Sequence, residues 1–310
     1  MFLAFLSCLI ALQQSVTGDT EHFSWASPEA LLPRVVPLVA LADQDYQEAL
    51  GWLQLQPLPG KGLLEWMADR DDMAVAMGKP SVPEWYAAVT LPAESRILLA
   101  VNQAQSQTPL RNTLRHEMAH YAMSGLGPAV YRRIPAWFHE GVAQFFAEDI
   151  LLRRVGVSIS WRSFTGDLAP LSKYRSAFSS DVAGAAEGYA LGYRMVSRLI
   201  RLYGRDMPAK LLHEMKLGAT LDEALLTLTG LSVVTHEADL RKELSSFHSI
   251  MSDGEPRFFL WMALGLLIGY PFVRRARRRK RLAMEEKWRQ EEALVETESP
   301  FDEDEPSQSP

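Results

Sequence analysis

Leu114-Arg115-His116-Glu117-Met118-Ala119-His120 is the stretch on which the reading of this chain turns. In a helix, His116 and His120 stand four residues apart and project from one face. Two imidazoles so placed can reach a single metal ion, and Glu117, beside the first of them, can point at a water on that metal. The flanks predict the helix. Leu110, Leu114, Met118 and Tyr121 make an apolar stripe at helical spacing, and Gly125, Gly127 and Pro128 end it. An H-E-x-x-H match of five residues also arises by accident, so a second segment has to carry part of the weight.

Ile134-Pro135-Ala136-Trp137-Phe138-His139-Glu140-Gly141-Val142-Ala143-Gln144-Phe145-Phe146 supplies it. Pro135 suits a first helical turn, where its missing N–H costs nothing. The residues after it are apolar on nearly all sides, which predicts a buried helix. A carboxylate buried there needs a partner. A Zn²⁺ held by His116 and His120 would be one, and two His with one carboxylate and an open fourth position is a recurrent catalytic zinc set.

H-E-x-x-H followed by W-F-x-E-G-x-A resembles the gluzincin metallopeptidases, most nearly their small peptidase MA-like domains and more distantly zinc aminopeptidases. The resemblance extends from about Ala30 to Phe247. It takes in Trp85 to Val101, ending in Arg96-Ile97-Leu98-Leu99-Ala100-Val101, which is similar to the edge strand before the zinc helix. It also takes in Gly188-Tyr189-Ala190 to Tyr203-Gly204, similar to the family's C-terminal helix. It implies a metal set of His116, His120 and Glu140, with Zn²⁺ as cofactor. Glu117 is then the general base that takes the water's proton and passes it to the leaving amine. An oxyanion donor is also implied. Tyr189 is the first candidate and Tyr193 the second, although a helical Tyr is more often a core residue with its hydroxyl at the rim. Gln144 departs from the pattern, because many gluzincins carry an acid four residues after the glutamate ligand. An amide still accepts a hydrogen bond from a ligating His but brings no charge. His139 reads as a neighbour of the metal shell or a surface residue. His22, His213, His236 and His248 lack metal-type spacing and read as surface or capping residues.

The two ends suggest where this site would sit. Met1 to Leu12 is an apolar run without a basic start, followed by Gln13-Gln14-Ser15 and the small residues Val16-Thr17-Gly18, so residues 1–18 are expected as a secretory signal. Cys8 is the sole cysteine; its removal would exclude disulfides and thiolate ligands. Phe258 to Val273 is uninterrupted by charge, with Trp261 and Tyr270 towards its ends, and Arg274 to Arg281 follows at once. This predicts one transmembrane helix at 256–274, with the basic cluster cytoplasmic and the catalytic domain, 19–255, extracytoplasmic. The apolar run also fits a buried or interfacial helix. The net charge of −6 and the cluster's place beside an apolar run argue against a nucleic-acid partner. Met284 to Val295 has a helical composition, whereas the tail at 275–310 as a whole, basic then acidic, is expected to be disordered.

Between these ends the expected fold class is α+β: a zincin-like domain with a small sheet packed on the zinc helices, then a helical C-terminal part. Helices are predicted over Pro28–Trp52, from Asp69, and over Glu187–Tyr203, Met207–Lys216, Leu221–Leu228 and His236–Phe247. Strands are predicted at Gly62–Met67 and Arg96–Val101, with Ser158–Trp161 a strand or loop. Two functions stand open. One is a membrane-anchored zinc metallopeptidase acting on a peptide or protein substrate. The other is a weak or inactive zincin-fold scaffold at the membrane surface.

Overall fold

In Gly62–Met67 (β3) every second residue, Gly62, Leu64 and Trp66, is buried, as the two-residue period of a strand with one covered face requires. The computed structural model describes residues 15–83, 86–102, 110–147, 152–174, 182–246 and 256–297, excluding the side chains of 152–158, 182–183, 256–262, 283 and 286–297. The apolar leader at 1–14, Trp85, His248 and the acidic end from 298 lie outside the described residues.

Five strands form one sheet in the order β1-β2-β3-β5-β4. They are Ser15–Asp19 (β1), Phe23–Pro28 (β2), β3, Ala88–Leu91 (β4) and Arg96–Ala100 (β5). The outer pairs β1/β2 and β4/β5 are antiparallel, and β2/β3 and β3/β5 are parallel. The β2–β3 crossover is Leu32–Leu53 (α1), which buries Val35, Val39, Ala42, Tyr46, Ala49, Leu50 and Leu53 at helical spacing. Val16, Thr17 and Gly18, expected at a processing site, stand in the middle of β1. The segment Arg96–Val101, likened to an edge strand, lies inside the sheet with Ile97 to Ala100 buried; the edge is β4. Strands covered on both faces read as continuous apolar runs, and β5 has that pattern.

Asp69 caps Arg70–Ala76 (α2), accepting from the backbone N–H groups of Asp71 and Asp72. The sheet is followed by Leu110–Ser124 (α3), Pro128–Tyr131 (α4), Ala136–Ala147 (α5), Leu152–Thr165 (α6), Val182–Tyr203 (α7), Met207–Lys216 (α8), Leu221–Thr229 (α9) and Val233–Leu244 (α10). Ser158–Trp161 belongs to α6. Its alternation of Ser158, Ile159, Ser160 and Trp161 spans too few residues to separate a period of 2 from one of 3.6, and burial of both Ile159 and Ser160 is met by a helix. Phe23, Tyr46 and Tyr121, with ring centroids 5.3–5.4 Å apart, join β2, α1 and α3 in one core.

In the second unit, Gly254–Pro310, the described residues form one helix, Pro256–Thr297 (α11). Residues 275–297, expected to be disordered, are helical, and Arg281 pairs with Glu285 one turn on at 3.1 Å. The transmembrane expectation is not met: among the described residues no helix is long and apolar enough to cross a membrane. The apolar run Phe258–Val273 rises about 24 Å, short of a hydrocarbon core of about 30 Å, before Arg274 begins a run of cations.

His236 is fully buried rather than at the surface. Its Nδ1 lies 3.2 Å from Arg198 Nη1 and its Nε2 3.0 Å from Thr229 Oγ1. The guanidinium can only donate, so Nδ1 accepts and Nε2–H donates to Thr229, which makes the ring neutral. Tyr203 packs edge-on against it, and Arg198 is itself paired with Glu243 and Asp239. Burial first, then Arg198, lowers the His236 pKa, with Asp239 opposing. The unfolded chain therefore takes up a proton that the fold resists. The stability held by the neutral ring is complete above the unfolded His value of about 6.5 and is lost as pH falls from there to the lower folded value. The urea midpoint should fall between about pH 7.5 and 5.5, and His236→Gln should give a shallower fall over that range.

Candidate metal centre

The rotation of α3 about its axis is set by charge. Asp45 of α1 is fully buried, accepting from Arg111 Nη2 at 3.0 Å and from Arg115 Nη1 at 2.6 Å. Arg115 also reaches Glu48 at 2.7 Å and lies 4.4 Å over the Phe146 ring of α5. A buried carboxylate demands these partners. Arg111 and Arg115 stand one turn apart, so this contact turns one side of α3 towards α1. His116, Glu117 and His120 then fall on the side that meets α5 and β4.

The depth of α5 is set by two glycines. A Cβ on Gly141 would lie 2.5 Å from the Gly192 carbonyl oxygen of α7, and a Cβ on Gly192 would collide with the Trp137 carbonyl. The helix backbones approach so closely that neither position accommodates a side chain. The Gly of the E-G-x-A segment is thus a packing requirement. Trp137, Phe138, Val142 and Ala143 are buried around it.

These contacts bring three ligand atoms together. His116 Nε2 and His120 Nε2 are 3.0 Å apart, and Glu140 Oε2 lies 3.2 Å from the first and 3.3 Å from the second. Oε2 is near enough to both rings for an ion pair yet is not aligned as a hydrogen bond. Neutral imidazoles would direct two lone pairs and a carboxylate at one point, an arrangement that needs a proton or a cation at its centre. Tetrahedral zinc with bonds of about 2.0–2.1 Å sets neighbouring ligand atoms about 3.3 Å apart. The triangle fits that requirement, and the two-nitrogen, one-oxygen donor set suits zinc. Among the described residues this is the one group of three His, Cys, Asp or Glu placed to hold a metal.

Burial pushes the Glu140 carboxyl up, but attraction to His120, His116 and His139 outweighs it and holds the group well below the usual carboxylate range. Glu140 is therefore an anion. His139 is half-buried, edge-on to His120 at 5.1 Å and stacked on Tyr131 at 5.9 Å, so it lies behind the ligands rather than at the surface. Burial lowers its pKa to about 4, opposed by Glu140 and assisted by His120 and His116, which leaves the ring neutral. Gln144 is buried one turn past Glu140. Its Oε1 and the Nδ1 of His120 each lack a hydrogen-bond partner among the described residues.

Glu117 is buried, and its Oε2 accepts from the Thr90 hydroxyl of β4 at 2.6 Å. Tyr189 feels the site: burial first, then the negative charges of Glu140 and Glu117 and the Tyr86 phenol, push its pKa well above the ordinary value, so it keeps its proton. Tyr86 and Tyr131 are raised by the same order of causes, burial and then Glu140 and Glu117. Tyr193 packs on Phe145, with ring centroids 6.3 Å apart. His213 is exposed, and His22 packs on Tyr46 outside the site. Sequence reasoning missed Thr90, Tyr86 and Tyr131. Thr90 sits on a four-residue strand with no helical or metal-type spacing. Tyr86 stands in the connection that leads into β4, and Tyr131 ends the short helix α4 before α5.

Residues 69–246 match the Peptidase MA superfamily. The chain belongs to that superfamily. The resemblance carried by H-E-x-x-H and E-G-x-A is thereby borne out, and with it a metallopeptidase-type fold. Among solved structures, this Peptidase MA chain is similar to yeast LTA4 hydrolase in complex with bestatin, at 13% identity and a TM-score of 0.44. That match covers 78% of this chain and 40% of the other, so the chain spans about two fifths of that protein's length. No curated protein sequence matches it.

The α5–α7 contact makes a steric prediction. Gly192→Ala must push the helices apart and should cost about 1–3 kcal/mol, read as a lower denaturant midpoint. Gly265→Ala in α11, where a Cβ meets nothing within 4 Å, is the control and should not lower the midpoint.

Proposed function

We propose that this protein is a zinc-dependent metallopeptidase, on the strength of the convergence of His116, His120 and Glu140 beside Glu117. Bound zinc would lower the pKa of its water to about 7 and polarise the scissile carbonyl. His116, His120 and Glu140 would hold the metal, with the anionic Glu140 offsetting part of its charge. Glu117 lies on the same face of α3 as the two imidazoles and would accept the water's proton and deliver it to the leaving amine. Tyr189, protonated at any working pH, would donate to the oxyanion. Two features support a peptide as substrate. β4 is a sheet edge whose outer side pairs with no strand among the described residues, and Thr90 on that strand touches Glu117. An extended peptide can add to such an edge.

The weak-scaffold alternative is favoured by one observation, that Gln144 supplies neither charge nor a hydrogen bond to the ligands. We propose membrane-surface association through α11, whose Leu266, Leu267, Ile268 and Phe272 are exposed next to Arg274–Arg281.

Purified full-length chain should carry about one zinc and cleave a peptide library in a chelator-sensitive way. Substoichiometric zinc under non-stripping conditions would overturn the metallopeptidase, and zinc without cleavage would favour the scaffold. Glu117→Gln should keep zinc and lose at least about a hundredfold in kcat. Tyr189→Phe should keep zinc and lose about a hundredfold or more in kcat; a change confined to KM would remove Tyr189 from the oxyanion role.

A further inference from the structure

The Thr90–Glu117 contact joins two elements that nothing in the sequence connects. Thr90 lies opposite Ile97 in the β4/β5 pair. Strand alternation sends Val89 and Leu91 to the Met73, Leu98 and Ala100 side of the sheet, and Ala88 and Thr90 to the side where the main core lies. The Thr90 hydroxyl therefore faces α3. It carries one proton and approaches two acceptors of the same residue, Glu117 Oε2 at 2.6 Å and the Glu117 carbonyl at 3.2 Å. The shorter contact takes the proton.

We propose that Thr90 is the positioning residue for the general base, a role that rests on the function given to Glu117 above. A glutamate side chain has three torsions, and a base that turns freely among rotamers spends little time in reach of its proton. The Thr90 hydrogen bond ties one carboxylate oxygen to the edge strand and leaves Oε1 as the oxygen that Thr90 does not hold. Because β-branched Thr is stiff at χ1, its hydroxyl direction is itself fixed by the strand. The same strand that offers an edge to a peptide thus holds the group that acts on it, so the two are held in one frame.

The test uses zinc-loaded full-length protein. Thr90→Val keeps the shape and β-branching and deletes the donor; Thr90→Ser keeps the donor. The expected result for Thr90→Val is a kcat about tenfold to a hundredfold lower, with KM and zinc content within about twofold of the parent. Thr90→Ser should recover kcat to within about threefold. Unchanged kcat in Thr90→Val, or a Thr90→Ser variant as slow as Thr90→Val, overturns the proposal. A second measurement needs no turnover: urea midpoints of Thr90→Val, Glu117→Ala and the double variant. Non-additive shifts, with the double variant less destabilised than the two singles together, support the contact. Additive shifts overturn it whether or not any peptide is hydrolysed. A parent protein that binds zinc, shows non-additive shifts and cleaves nothing would instead sink the assignment of Glu117 as a base.

Discussion

A carboxylate buried among apolar helices is tolerated in few ways. It can take a proton, it can be paired, or it can ligate a cation. Glu140 is held as an anion by the imidazoles around it, so the first way is closed, and its Oε2 faces the Nε2 atoms of His116 and His120 in a triangle of zinc dimensions. Much else in the first unit follows from keeping that triangle intact. Asp45 and its two arginines set the rotation of α3. Gly141 and Gly192 set the depth at which α5 meets α7. Tyr131 and His139 back the ligands from behind. A side chain at either glycine would prevent the helices from reaching that distance, whatever the ligands were.

The site is uneven in its support. Glu117, the proposed base, is tied to a strand by a short hydrogen bond. His120, by contrast, has an Nδ1 with no partner among the described residues, and the neighbouring Gln144 carbonyl is equally unmatched. Buried polar atoms without partners are costly. The surroundings of the three groups are therefore less complete than their geometry, whose spacing suits tetrahedral zinc. The peptidase and scaffold readings both need the same triangle.

The helices were legible because their patterns are long. Val35 to Leu53 repeats apolar residues at three and four along α1, and Asp69 marks the start of α2. The small-residue strands β1 and β2 were not legible, nor was the four-residue β4. Gly18, Ala26 and Ala88 give no alternation to read, and the strands exist because partners pair with them. The same shortness misplaced Ser158–Trp161, where four residues fit two periods. The exposed apolar run of α11 shows the opposite case: composition suggested a span, and length decided against it.

By itself the sequence determined which side chains could converge on a metal, because four-residue helical spacing is a local property of α3 and a glutamate in an apolar helix needs a partner. It also determined the α+β class and the sites of most helices. Only the tertiary structure decided what surrounds them: that Gly141 exists for α7, that Tyr189 lies within the field of the carboxylates, that His236 is a buried neutral ring, and that Thr90 holds Glu117. Each of these joins residues from separate elements of the chain. No period or spacing encodes such a contact, because it is fixed by how the elements pack.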